Sequence, residues 1–404
     1  MKYKRVEMEL SEAVSLVRET LALENEEILP LSSAYGMVVT EDIVSNIDQP
    51  PFDRSPLDGY ALRSADTVGA SPDTPVTLEV VDKLFAGNMT EKEVKPYQGV
   101  RIMTGAPIPS GCDCIIRQEE TDYGEKYVKI YRSLNKHENY CFRGEDFKVG
   151  TVLIPKNTRL NSVAMGVLAS AGILQVPVRS RLKVALITTG DELIEVSQNS
   201  LLPPGKIYSS NLAMLRTRLW ELNLHPISAI QVGDNSKEVE EVIKKELEQA
   251  DVLITTGGVS VGEKDVLNEV IEELGAQKIF HGVKIKPGTP AMFSLYKGKP
   301  ILSLSGNPFA AATTFELLGR PLLSALMGDS SLLPIKAYAT LTTPFHKETP
   351  SRRFLRGKLE EGSVVLGKSH SSGQLQSMVG CNCLVEIPEN SILNQGDTVS
   401  VYLL

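Results

Sequence analysis

Residues 180–327 repeat one local pattern: a short apolar run, a turn of small residues, then an amphipathic stretch. Lys183–Thr188 (KVALIT) reads as a buried strand and ends in Thr189-Gly190-Asp191. A helix from about Asn211 to Leu222 follows, then a strand at Ile227–Val232. Asn235 with Glu238 three residues on predicts a capping box for a helix over Ser236–Gln249, whose Val239, Val242, Ile243 and Leu247 form one stripe. Val252–Thr255 is the next strand, closed by Gly257-Gly258. A helix carrying Val266, Leu267, Val270, Ile271 and Leu274 comes next, and Pro300–Leu304 is a further strand ending at Ser305-Gly306-Asn307. Such alternation predicts right-handed βαβ units and a parallel sheet covered on both faces, a three-layer α/β domain.

With 404 residues the chain is too long for that domain alone. Leu10, Val14, Val17 and Leu21 predict a helix from about Met8 to Leu23, with Ser11 near its start as a cap. From Val44 the sequence becomes rich in Pro, Gly and Asp between short β-like runs, among them Thr77–Val81, Val100–Met103, Cys114–Arg117 and Tyr127–Tyr131. We therefore divide the chain into a discontinuous N-terminal domain (1–45 and 147–179), a β-rich insert (46–146), the α/β domain (180–327) and a C-terminal small β-barrel (328–404). In the last, Ala337–Thr342, Val364–Leu366, Leu384–Ile387 and Thr398–Tyr402 are the expected strands.

Lys and Arg total 42 against 50 Asp and Glu, a net charge of −8, which argues against a nucleic-acid coat or a polybasic membrane binder. No run of about 18 apolar residues could span a bilayer, and MKYKRVEMELSEA places charges where a signal peptide needs an apolar core. Five cysteines are too few, and odd in number, for a secreted disulfide framework, so a cytoplasmic location is expected. Cys112/Cys114 and Cys381/Cys383 form two CxC pairs, with Cys141 apart. Their spacing favours packed thiols over a zinc site.

Ligands of open parallel sheets bind beyond the carboxyl ends of the strands. Three small, amide-rich turns fall there: TTGDEL at 188–193, TTGGVSVGEKD at 255–265 and LSGNP at 304–308. Backbone N–H groups in such turns can gather around an oxyanion. Glu192, Asp234 and Asp265, with Asp191 and Glu263 beside them, should share that rim, and clustered acids around an anion pocket point to a divalent cation, Mg²⁺. Lys284 and Lys286 flank Pro287-Gly288-Thr289-Pro290, where a lysine offers phosphate a point charge. No dinucleotide fingerprint, P-loop, nucleophile elbow or HExxH is present. The insert carries three dense polar clusters, DRSPLDGYA at 53–61, RIMTGAPIP at 101–109 and RGEDF at 143–147, which suggest a binding face.

These motifs, in the order SPLDGYA, RIMTGAP, RGED, TGDEL, the aspartate of VGDN, TTGGVSVGEKD, KPGTP and SGNP, resemble those of the molybdopterin molybdenumtransferase family, MoeA, which includes the C-terminal part of gephyrin. The resemblance spans essentially the whole chain. It implies insertion of molybdenum from molybdate into adenylylated molybdopterin, with Mg²⁺ and release of AMP. It also implies an elongated homodimer whose active site lies between the α/β domain of one subunit and the insert of the other. Molybdopterin adenylyltransferase and apo-molybdoenzymes are the further partners implied, with no nucleic acid and no membrane. Carried over by motif, Asp58, Thr104 and Asp146 line the cleft from the insert, and Glu192, Asp234, Asp265 and Lys286 from the α/β side. Thr189, Gly190, Asp191, Gly257, Gly258, Ser260, Gly262, Pro287, Gly288, Ser305, Gly306, Asn307 and Pro308 form the substrate-binding turns, with Glu192, Asp234 and Asp265 as metal ligands.

The chain departs from the family pattern at Thr289, where lysine is frequent, at Ser305 in place of proline, and at Pro56-Leu57 in place of Ala-Met. Three alternatives accompany the insertase reading: a non-catalytic pterin-binding scaffold, a molybdopterin adenylyltransferase, and a tungstate-preferring paralogue.

Overall fold

The computed structural model describes residues 7–20, 23, 25–196, 202–260 and 266–404. Its first helix, Leu10–Arg18, is shorter than its periodicity suggests, and Ser11 lies inside it. Glu9 holds the cap position without a side-chain bond. Leu10, Ala13 and Val17 face the main core.

In the insert, five strands assemble in the order Cys114–Arg117, Gly59–Leu62, Gln98–Ile102, Val76–Leu84, Tyr127–Ile130. The strand Gly59–Leu62 is buried at every position, between two small apolar clusters holding Tyr60 and Leu62 on one side and Ala61 on the other.

The α/β domain contains β1 (Val184–Thr189), α1 (Ser210–Glu221), β2 (Ser228–Val232), α2 (Ser236–Gln249), β3 (Val252–Thr256), α3 (Leu267–Glu273), β4 (Gln277–His281), β5 (Met292–Tyr296), β6 (Lys299–Leu304) and α4 (Pro308–Thr314). Sheet order is β2-β1-β3-β6-β5-β4. β1 and β3 are continuous apolar runs because both faces are covered. Val184 and Leu186 enter one core, and Ala185 and Ile187 enter the other. Asn235 caps α2 by accepting the Glu238 amide at 3.2 Å.

The sheet is mixed, not purely parallel. β6 pairs antiparallel with β5, and β5 antiparallel with β4. The reason is local: Lys297 (φ 50°) and Gly298 (φ 80°) both adopt the left-handed region, and a two-residue turn of that hand closes a hairpin. No crossover helix is then needed between β5 and β6.

The C-terminal region is a closed barrel of β7 (Lys336–Leu341), β8 (Arg352–Glu360), β9 (Ser363–Leu366), β10 (Cys383–Ile387) and β11 (Thr398–Leu403). β8 pairs with both β9 and β10, which completes the ring. Strand β8 is absent from the sequence-based expectation, since SRRFLRGKLEE reads as solvated charge; in the fold Arg353–Arg356 are buried in succession. One further pairing joins domains: Ile285 and Lys286 run parallel to Arg352 and Arg353. Among the described residues, no helix is long and apolar enough to cross a membrane.

Candidate active site

A cleft of about 1240 Å³ opens beyond the carboxyl ends of β1, β3 and β6, where the sheet order reverses direction around β1. Its walls come from the turns after those strands, the segment 286–290, the start of α1, and the barrel. Of the residues singled out from sequence, Thr189, Gly190, Glu192, Asp234, Gly257, Gly258, Ser260, Lys286, Pro287, Gly288, Ser305, Gly306, Asn307 and Pro308 line it. Gly262 and Asp265 lie outside the described residues, as does Glu263.

Asp191 does not line the cleft; it ties two turns together instead. Its amide donates to the Asp234 carboxylate at 3.2 Å, and the Asp234 amide donates to the Asp191 carboxylate at 2.9 Å. Lys206 donates to the Asp191 carbonyl oxygen, and Gln231 to that of Leu193 at 2.7 Å. This reciprocal bonding sets the loops that carry Glu192 and Asp234.

Several turn amides expected to cradle an oxyanion are used inside the protein. Gly190 donates to Val232 and Gly257 to Leu304. Asn307 donates to the Ser305 hydroxyl at 3.3 Å, and Phe309 to the Ser372 carbonyl at 3.0 Å. The glycines serve close packing. At Gly257 (φ 91°) a Cβ would lie 2.4 Å from the Thr189 carbonyl oxygen, and at Gly288 (φ 103°) 2.3 Å from Thr314 Cγ2.

Side chains supply the polar surface. Thr189 Oγ1, Thr256 Oγ1, Ser209 Oγ and Asn211 Oδ1 are buried among the lining residues and have no hydrogen-bond partner among the described residues. Buried polar groups are paired as a rule, so these atoms are available to a polar ligand or to water in the cleft. Asn211 also donates to Gly306 O at 2.8 Å, which fastens α1 to the SGNP turn.

Positive charge enters from Lys286 and from a source that sequence reasoning missed, the barrel. Lys347, Arg353, His370, Ser371, Ser372 and Gly373 all line the cleft. Arg353 is only 6% exposed, its Nε has no partner among the described residues, and strand pairing sets it beside Lys286. Burial, followed by the charges of Arg356, Arg353 and Lys347, pushes the His370 imidazole below its ordinary range. A nearly buried guanidinium beside the exposed Lys286 favours an anionic ligand.

Asp58, Thr104 and Asp146 do not line this cleft. The structure does bring the three polar clusters of the insert together. The Arg54 amide donates to Cys141 O and the Ser55 amide to Ala106 O. Tyr140 and the Arg143 amide both donate to the Asp53 carboxylate, each at 2.7 Å. The Asp58 carboxylate accepts the Thr104 amide at 2.7 Å and the Thr104 hydroxyl at 2.8 Å, and these bonds hold its pKa below the usual carboxylate value. Asp146 is exposed on the same module, its amide bonded to Gln49 O.

The cysteines are free thiols. Burial pushes Cys112 up to about 12 and Cys383 up to about 11, which fits packed rather than reactive groups. No group of three or more His, Cys, Asp or Glu placed to hold a metal occurs among the described residues.

Three family profiles match the chain in succession: the MoeA N-terminal region (domain I and II) over 8–172, a probable molybdopterin binding domain over 185–325, and the MoeA C-terminal region (domain IV) over 338–404. The molybdopterin molybdenumtransferase of Staphylococcus epidermidis is 37% identical over 396 residues, covering 95% of this chain and 92% of that protein. That of Staphylococcus aureus (strain COL) is 37% identical over 379 residues, covering 92% and 90%. Among solved structures, the molybdopterin biosynthesis MoeA protein of Pyrococcus horikoshii OT3 superposes with a TM-score of 0.86 at 30% identity, covering 99% of this chain and 100% of that one.

Proposed function

Since the chain belongs to the molybdopterin molybdenumtransferase family, MoeA, and is a transferase of molybdenum cofactor biosynthesis, we propose that its cleft inserts molybdenum from molybdate into adenylylated molybdopterin and releases AMP. The observation that carries this reading is the division of charge within one cleft. Lys286 and Arg353 stand side by side, Glu192 and Asp234 come from the β1 and β2 turns, and hydroxyls without a partner among the described residues belong to the same lining. Molybdate and the diphosphate bridge are oxyanions, for which lysine offers a point charge and arginine a planar fork. Thr189, Thr256, Ser209 and Asn211 have the donor and acceptor chemistry that a pterin ring requires.

The donor set also fits Mg²⁺. Glu192 and Asp234 both line the cleft, and this ion is held through one or two carboxylates together with phosphate oxygens. When bound there, it supplies Lewis-acid neutralisation of the phosphoanhydride. Lys286 and Arg353 hold the oxyanion and offset charge as the AMP leaving group departs, and the fixed turns orient the dithiolene toward molybdate. In this reading Asp58, Thr104 and Asp146 reach the cleft from a second copy of the chain.

The test uses purified protein, adenylylated molybdopterin and Mg²⁺, with and without molybdate, following AMP release and reconstitution of an apo-molybdoenzyme. Molybdate-dependent AMP release with reconstitution is expected. Glu192→Ala, on an exposed turn residue, should keep the fold and lower AMP release by about a hundredfold; unchanged release removes Glu192 from the site.

A further inference from the structure

Arg356 lies on β8, fully buried, yet it is not among the residues that line the cleft. Its guanidinium carbon stands 3.7 Å from the centroid of the Phe309 ring. From that stacked position its terminal nitrogens donate to Ser371 O at 2.7 Å, to Gln374 O and to the Ser377 hydroxyl. Phe309 is the second residue of α4, directly after the SGNP turn, and its own amide donates to Ser372 O at 3.0 Å. A Cβ on Gly373 would come 3.9 Å from Asn307 Oδ1, so the barrel segment and the SGNP turn are close neighbours. Gly367 is held against Arg356 as well, since a Cβ there would meet Arg356 Cγ at 2.6 Å.

We propose that Arg356 is a positioning residue: it latches the barrel segment 370–377 to the first turn of α4, so that His370–Gly373 and Asn307-Pro308 form one continuous wall of the cleft. The chemistry demands arginine. A buried cation must be satisfied by oriented dipoles or it destabilises the fold. Only a planar guanidinium stacks face-on to a ring while donating sideways to carbonyl oxygens. Its terminal nitrogens donate to two backbone carbonyls and one hydroxyl of the same segment, so the interaction orders that segment specifically. Without it, Lys286 and Arg353 remain in place, but the wall that faces them loses its register.

The proposal rests on the cleft being the molybdopterin site, and the test separates the two claims. Arg356→Lys, Phe309→Leu and the double variant are compared with wild type for melting, for the dissociation constant of molybdopterin, and for KM and kcat in the AMP-release assay. Each folded single variant should raise the KM for adenylylated molybdopterin about tenfold while kcat at saturation stays within about threefold. The double variant should be no worse than the weaker single, because both substitutions break one latch. A purely structural role would instead lower the folded fraction, and so kcat, with KM unchanged. Additive effects, or a KM within twofold of wild type in a folded variant, overturn the proposal. If Arg356→Lys does not fold, Phe309→Leu decides by the same criteria. Folded wild type that fails to bind molybdopterin overturns the site reading and the latch with it; wild-type binding with unaffected variants overturns the latch alone.

Discussion

At the edge of the cleft, partial burial of His370, reinforced by repulsion from Arg356, Arg353 and Lys347, disfavours its charged form. Its folded-state pKa therefore lies below the unfolded imidazole value of about 6.5. The sign follows from linkage: stability from neutral His370 is present above the unfolded pKa and is lost as pH falls from there toward the folded one. Arg353→Met removes one repelling cation, so the His370 midpoint, read by proton NMR, should move upward; saturating molybdate should move it the same way in wild type. A midpoint unmoved by either places His370 outside the field of the anion site. Residues of this kind divide sharply in how far sequence exposes them. Lys286 is conspicuous beside Pro287-Gly288, and Glu192 and Asp234 follow strands whose pattern is plain. Arg353 sits in a run of charges that reads as solvated surface, and nothing local indicates that strand pairing will set it beside Lys286.

At the level of elements, the close approach of β1 and β3 depends on the turn that follows β3. Gly257 has φ 91°, and a side chain there would press on the Thr189 carbonyl. Gly257→Ala should therefore cost about 1–3 kcal/mol in urea unfolding and weaken molybdopterin binding in the folded fraction; a neutral substitution would show that the turn has room to relax. The strands and helices of the α/β domain with strong periodicity were readable within one or two residues, as with Ser236–Gln249, because each buries a face defined by its own sequence. The hairpin Met292–Tyr296/Lys299–Leu304 was not, although Lys297-Gly298 is a turn signal. The β8 strand escaped for a different reason. Arg353 and Arg356 are buried against aromatic rings, and Arg356 against carbonyls as well, contributed by other segments, which no window of sequence contains.

For the whole molecule, the insert and the cleft pose a single question. Asp58, Thr104 and Asp146 share one module, while Glu192, Asp234 and Lys286 line a cleft that no insert residue reaches within the chain. If two copies share each site, Asp58→Ala and Glu192→Ala subunits should complement one another. Mixed under conditions that allow exchange, they should regain AMP release, since one of the two composite sites in a heterodimer is intact. A mixture as inactive as its parents, after exchange is demonstrated by sedimentation of tagged subunits, excludes the shared site. What the sequence by itself determined was local: the period of each element, the turn chemistry at strand ends, and a motif order characteristic of one family. The small barrel was expected from sequence, but the place of β8 in its ring, its seam along Ile285-Lys286, and the cationic wall it lends the cleft were decided only by tertiary structure. Periodicity records which face of a segment must be buried, whereas the choice of partner depends on burial and hydrogen bonding summed over segments far apart in the chain.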